Sequence, residues 1–384
     1  MYRRTLCAAA LAVATAGAAN ADDFVIGLSG ALTGPSAGSY APAIDAMRIY
    51  FDRLNKNGGI DGNNVRLVIQ DDQGEASRGA ANATRLINQD GVKLLINSSL
   101  SSTYAPMMAE SRRAGVPMLF AASACPKEVF PPAVDNLFCT TAFAAQYDSR
   151  ATLAYVKDKA QGEVKLGLVA MAIPVSRGEI DYAEGLAKEE GMTVVGKEVI
   201  PPPTPDYTPF ATNLKSAGAN WVYAWAPWVT QVRSLESLRQ LGWDGDLIAW
   251  AHLEAEGELA RLKDPKLHVI GANALFNEGL PIHKEIEQAV SEDGSRYPAN
   301  QMAEGWIAAM VVEAALRKAG PDADAAGILE AMKSLNVDTK GLRGGPIEWT
   351  ADNHFRTNQY YRIYQWSDDA IGTVQDWQAF AVGE

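Results

Sequence analysis

From Phe24 onward, short apolar runs rich in β-branched residues alternate with longer stretches whose apolar positions recur every three or four residues. This alternation constrains the fold most, because parallel strands need a crossover between them and a helix is the usual one. "FVIGLSGAL" opens as a strand. In "YAPAIDAMRIYFDRLNKNGGI", Ile44, Met47, Ile49, Tyr50 and Leu54 fall at helical spacing and Gly58-Gly59 ends the helix. "NVRLVIQDD", "EASRGAANATRLINQDG" and "VKLLIN" read as strand, helix and strand, and "APMMAESRRAG" and "VPMLFAA" continue the series. The rhythm restarts near Ala144. The helix "RATLAYVKDKA" precedes the strand "EVKLGLVAM", the helix "IDYAEGLAKEEG" and the strand "MTVVGKEVI". After the loop "PPPTPDYTPF" come the helix "ATNLKSAG", the strand "NWVYAWA", the helix "TQVRSLESLRQLG" and the strand "DLIAW". Two such series predict two doubly wound α/β lobes, which also suits a length of 384 residues. Periodicity alone leaves the helical "ANQMAEGWIAAMVVEAALRKAG" and the strand "YYRIYQW" unassigned to either lobe.

The first residues, "MYRRTLCAAALAVATAGAANADD", read as a secretory leader. Arg3 and Arg4 give a basic start, Leu6 to Ala16 an apolar middle, and Ala19-Asn20-Ala21 a cleavage site, so residues 1–21 are expected to be removed. The apolar stretch is shorter than the roughly 20 residues that span a bilayer, and Cys7 lies too early to carry a lipid. Loss of the two arginines takes the formal charge from −12 to −14, which disfavours nucleic acid and anionic membrane as partners. Cys125 and Cys139 then remain. In an oxidising compartment they read as a disulfide worth roughly 3 kcal/mol, the alternative being two unpaired buried thiols.

Polar and aromatic residues gather at the carboxyl ends of the strands, where doubly wound sheets bind ligands: "NSSLSST", "AASAC", "MAIPVSRG", "WAPW" and "WAHLE". "GPSAG" matches the nucleophile elbow G-x-S-x-G with Ser36 at its centre. It follows the first strand, however, with no sheet before it to project from, and none of the four histidines stands in a catalytic context. No phosphate-loop motif occurs, and the glycine spacing of "GLSGALTG" does not fit a dinucleotide fingerprint. The histidines lack metal-ligand spacing, and "DDQGE" reads as a solvated turn at a strand end. No cofactor or metal is expected. The hydroxyls of Ser101 to Thr103 suit either a helix cap or a seat for a carboxylate at a helix start. The second polar strand end, Ala122 to Ala124, favours the seat.

Long stretches of the chain resemble the periplasmic amino-acid-binding proteins of ABC importers, branched-chain type. They are "IGLSGALTGPSAGSYAPAIDAMRIYFDRLNKNGGIDGNNVRLVIQDDQGEASRGAANATRLI", "SSTYAPMMAESRRAGVPML" and "GPIEWTADNHFRTNQYYRIYQW". The resemblance implies a type I periplasmic-binding-protein fold, with two doubly wound lobes joined by a three-strand hinge. The N-lobe would comprise residues 22–143 plus 276–355 and the C-lobe residues 144–275 plus 356–384. It also implies a monomeric periplasmic protein that clamps a small carboxylate between the lobes and delivers it to a membrane permease.

Carried onto this sequence, the family's carboxylate-holding serine falls on Ser101 or Ser102, and its second N-lobe contact on Ala122 and Ser123. An aromatic of the first loop falls on Tyr40. The C-lobe departs from the family pattern: Arg177 stands where a tyrosine is common, and "YAWAPW" brings Trp225 and Trp228. The acid that would hold an amine falls on His252 or, shifted by two, on Glu254. An arginine suited to a carboxylate and a tryptophan-rich lining make an aromatic acid the first expectation and a branched-chain or other amino acid the second. Two alternatives are a sensory module of the same fold feeding a receptor and a secreted hydrolase using Ser36.

Overall fold

The computed structural model describes residues 23–383, so the leader expected at residues 1–21 lies outside the described residues. The first sheet holds β1 (Phe24–Gly30), β2 (Val65–Asp71), β3 (Leu94–Ser98), β4 (Met118–Phe120) and β5 (Leu137–Cys139). Its order is β2-β1-β3-β4-β5 with every pair parallel. Helices α1 (Ala41–Lys56), α2 (Ala76–Asn88) and α3 (Tyr104–Ala114) cross between its strands. β3 is buried throughout, as a strand covered on both faces must be.

The second sheet is built alike. Helix α4 (Tyr147–Lys159) leads into β6 (Lys165–Met171), α5 (Pro174–Glu189), β7 (Thr193–Ile200), α6 (Thr208–Ser216) and β8 (Trp221–Trp225). Then come α7 (Trp228–Gln240), β9 (Asp246–Trp250), α8 (Ala255–Leu262) and β10 (Leu267–Gly271). The chain returns to the first lobe for α9 (Pro281–Asp293), α10 (Ala303–Ala319), α11 (Ala325–Met332) and a small pair, β11 (Asn336–Val337) with β12 (Ile347–Glu348). It ends in the hairpin β13 (Asn358–Ser367) and β14 (Ala370–Ala381), whose first strand pairs antiparallel with β10. The full order is β14-β13-β10-β9-β8-β6-β7.

α10 is apolar around most of its circumference and packs closely on α1, in the manner of a core helix. Gly305 makes this approach possible: a Cβ there would come within 2.0 Å of the Ala43 carbonyl oxygen. The chain therefore passes three times between lobes, after β5, after β10 and before β13. The third passage is fastened to the first lobe, since the His354 N–H donates to the Val129 carbonyl and the Cys139 N–H to the His354 carbonyl, each at 3.0 Å.

Two helices begin earlier than periodicity predicts. Helix α5 starts at Pro174 rather than in the "IDYAEG" run, because proline at the first helical turn lacks only a donor that would be unpaired anyway. α4 likewise starts at Tyr147, before "RATLAYVKDKA". β14 is not apparent from periodicity, being an edge strand that is largely exposed.

Cys125 and Cys139 are bonded, with Cα atoms 5.7 Å apart, and close a loop of sequence separation 14. Replacing both by serine is expected to lower stability by about 3 kcal/mol through freedom gained by the unfolded chain. Denaturant unfolding of the double variant beside the oxidised protein measures this, and an unchanged midpoint would contradict it.

Candidate ligand-binding site

The carboxyl ends of the two sheets face each other across a cleft. It is lined by Tyr40, Ser101, Tyr104, Ala124 and Phe143 on one side and by Ile173, Val175, Ser176, Trp225, Ala226, Pro227, Trp250 and His252 on the other. The cavity between these walls is only about 20 Å³, so the space is a thin slot rather than a chamber.

Three helices begin at this slot: α3 just after Ser101, α5 at Val175 and Ser176, and α7 just after Pro227. Each points the positive end of its dipole towards the slot, and some first-turn donors are already paired, Tyr104 with the Ser101 carbonyl and Thr230 with the Pro227 carbonyl. Ser101, nearly buried, accepts a hydrogen bond across the cleft from the Val175 N–H at 3.1 Å. Ser176 accepts from the Met171 N–H at 2.9 Å and donates to the Trp225 carbonyl at 2.6 Å, fixing the start of α5 to the ends of β6 and β8. Gln231 exchanges two bonds with the Trp250 backbone, at 2.8 and 2.9 Å, and so holds the end of β9.

Rings supply the walls. Phe143 lies at the centre of an aromatic group, 4.5 Å from His252, 5.1 Å from Trp250 and 6.3 Å from Trp225 between ring centroids. Tyr40 meets the edge of His252 at 6.3 Å. Burial pulls the His252 imidazole down to about 3, so it is neutral at ordinary pH, and its Nδ1 has no hydrogen-bond partner. No side chain lining the slot carries a formal charge.

The loops that form the N-lobe wall hang on two adjacent carboxylates at the end of β2. Asp71 accepts from the Leu32 N–H at 3.1 Å and the Thr33 hydroxyl at 2.5 Å, steadying the loop that leads to Tyr40. Asp72 is buried, contrary to the solvated turn expected for "DDQGE". It accepts from Ser99 at 2.5 Å, Ser29 at 2.8 Å and the Gly74 N–H at 2.8 Å, and so fixes the serine loop.

Of the residues expected in the site, Tyr40, Ser101, Trp225 and His252 line the slot. Ser102 turns away and donates to the Gly74 carbonyl at 2.6 Å. Ala122 is buried with Ala43 and Leu253, and the Ser123 hydroxyl donates to the Asn97 carbonyl, leaving Ala124 as the lining residue of that strand end. Trp228 belongs to the C-lobe core, because the first turn of α7 rotates it inward. Arg177 lies exposed on α5 and does not line the slot, since the helix has already begun before it. Tyr104, Phe143 and Trp250 are cleft residues that sequence reading passes over; Phe143 and Trp250 each stand at the end of a strand or at the first passage, a position that could have marked them.

Glu254 stands beside the slot without lining it. Its Oε1 accepts from Ser39 of the opposite lobe at 2.9 Å, and among the described residues its Oε2 has no partner. Burial pushes it up to about 7, against the lowering effect of the Ser39 bond.

A family model described as periplasmic binding protein matches residues 24–370. The chain belongs to the periplasmic binding protein family. Its relatives include the Leu/Ile/Val-binding protein BraC3 of Rhizobium johnstonii, 25% identical over 353 residues, covering 91% of this chain and 93% of that protein. Among solved structures, a branched-chain amino acid ABC transporter protein from Thermus thermophilus with bound valine superposes with a TM-score of 0.82 at 17% identity, over 94% of this chain and 97% of that one. A solute-binding protein of an ABC transporter from Rhodopseudomonas palustris BisB5, in complex with 3,4-dihydroxybenzoic acid, gives 0.77 at 19%, over 94% and 98%. At these identities the two structures share the fold, the two-lobed type I architecture of this binding-protein family. Among the described residues no helix is long and apolar enough to cross a membrane.

Glu254 offers a direct test of the cleft's electrostatics. Its folded value near 7 exceeds the ordinary 4.5, so the folded chain holds that proton more tightly than the unfolded one. Its contribution to stability is therefore lost as pH rises from about 4.5 to about 7. Glu254→Gln should fall less steeply than the parent over that window in thermal unfolding followed against pH, and parallel profiles would contradict the assignment.

Proposed function

We propose that this protein is the extracytoplasmic solute-binding component of an ABC importer and that its ligand is an aromatic carboxylate. The observation that carries the reading is a thin slot walled by aromatic rings, with three helix starts aimed into it and no charged side chain on its lining. Backbone donors and dipoles can hold a carboxylate without a cation. Tyr104, Phe143, Trp225 and Trp250 line the slot with aromatic rings suited to contact with another ring. A primary ammonium would need an ionised acceptor. His252 is neutral, and Glu254, with a value near 7, is about half protonated at neutral pH. Relatives named for leucine, isoleucine and valine and a neighbour holding 3,4-dihydroxybenzoic acid supply the two ligand classes to be separated.

In this reading residues 22–143 with 276–355 close as one lobe onto residues 144–275 with 356–384. The closed monomer then presents to a permease a surface that the open form lacks. A Kd near 1 μM supplies about 8 kcal/mol, part of which offsets closure. Hydrolysis at Ser36 has no such support: among the described residues no side chain hydrogen-bonds to its hydroxyl, and Ser36 is nearly buried at the start of a single helical turn.

Calorimetric titration of residues 22–384 with benzoate, 3,4-dihydroxybenzoate, benzamide, leucine and valine tests the proposal. The benzoates should bind, while benzamide, which lacks the charge, and the amino acids should not. Ser101→Ala should weaken benzoate binding by about tenfold or more, the loss of one hydrogen bond to a charged group. Binding of leucine or valine with no response to benzoates would overturn the aromatic reading.

A further inference from the structure

Behind the slot lie two carboxylates that do not line it. Asp148, on the first turn of α4, and Glu179, on α5, are buried almost completely. Asp148 accepts from the Trp225 indole N–H at 3.0 Å, the Tyr361 hydroxyl at 2.6 Å and the Ala144 N–H at 3.1 Å to each oxygen. Trp225 is a wall of the slot, Ala144 lies on the first passage between lobes, and Tyr361 lies on β13 just beyond the third. Glu179 accepts from the Gln146 N–H at 2.5 Å, the Ser149 N–H at 3.0 Å and the Ser149 hydroxyl. It sits one turn along the helix whose start, Val175 and Ser176, forms the opposite part of the same wall. Gln146 adopts φ 72, a left-handed conformation that bends the chain as it enters the C-lobe.

We propose that Asp148 and Glu179 are positioning residues that fasten the two C-lobe walls of the ligand slot to the hinge, Asp148 through Trp225 and Glu179 through α5. Ala144 and Gln146 of the first passage, Ser149 in the first turn of α4 and Tyr361 on β13 all donate to Asp148 or Glu179. A ring seated against Trp225 therefore cannot shift the indole without straining bonds at the first passage and just beyond the third. The remaining groups around the pair support this rigidity. The Tyr223 hydroxyl lies 3.4 Å from that of Ser149, and Arg356, from the third passage, donates to the Thr141 carbonyl of the first. Burial, and for Asp148 also the charge of Glu179, holds both acids above the usual carboxylate range.

The inference rests on the slot being the ligand site, but its primary test needs no ligand. Small-angle scattering of residues 22–384 gives the opening of the lobes. Asp148→Asn weakens the bonds to Trp225, Tyr361 and Ala144 together and Tyr361→Phe removes one of them, both at nearly constant shape, while Trp225→Phe removes the indole donor with part of its ring; each should raise the radius of gyration of the free protein. Asp148→Asn combined with Trp225→Phe should open it no further than Asp148→Asn alone, since both changes cut the same link. Unchanged scattering in all three single variants, or a double variant with the summed effect, would overturn the proposal by leaving the pair a merely structural role. Tyr361→Phe, which removes a single donor, keeps the test decisive if Asp148→Asn does not fold. Titration with 3,4-dihydroxybenzoate forms a second arm, in which Tyr361→Phe should weaken binding by several-fold. If the parent protein does not bind 3,4-dihydroxybenzoate, the ligand reading fails while the scattering result still decides the hinge assignment.

Discussion

Parallel strand order is the constraint on which the rest of this molecule depends. In each sheet, strands β1 to β5 and β6 to β10 all run the same way, so every helix that follows a strand must begin at the same edge. Three passages of the chain then turn the two carboxyl edges towards each other. The consequence is electrostatic: α3, α5 and α7 start at one slot and bring the positive ends of their dipoles with them. In the proposed reading, the slot takes its preference for negative charge from these helix starts, with no lysine or arginine on its lining.

The same arrangement explains why so many carboxylates are buried around a site that has none on its surface. Loops at strand ends carry backbone donors that must be satisfied. Asp72 satisfies the serine loop, and Asp148 and Glu179 satisfy the first passage and the start of α4. Each costs desolvation energy that its several donors offset only in part. Across the cleft, by contrast, polar contacts are few: Ser101 with Val175 and Ser39 with Glu254. At about 1 kcal/mol each, such bonds bias closure weakly and leave a bound solute to decide it.

Much of the scaffold is legible in the sequence, because strands buried on both faces must be runs of Val, Ile and Leu, and their helices must repeat at 3.6 residues. The site is only partly legible. Ser101 is recoverable because the second polar strand end, at Ala122 to Ala124, weighs against a plain helix cap for this hydroxyl. Arg177 misleads because Pro174 reads as loop, although it opens α5 and carries Arg177 out to solvent. Trp225 and Trp228 look equivalent in "YAWAPW", yet the two residues between strand and helix, Ala226 and Pro227, send one ring to the cleft and the other to the core. Asp148 and Glu179 are invisible to local pattern: each resembles an exposed helix acid, and only contacts spanning up to 213 residues bury them.

The central claim is that helix starts, and not a cationic side chain, receive the ligand's carboxylate. A crystal structure with 3,4-dihydroxybenzoate bound tests it most directly. The account predicts the carboxylate within hydrogen-bond distance of the Ser101 hydroxyl and first-turn N–H groups of α3 or α5, with the ring among Phe143, Trp225 and Trp250. A carboxylate paired with Arg177, or a ring lying outside this slot, would contradict it.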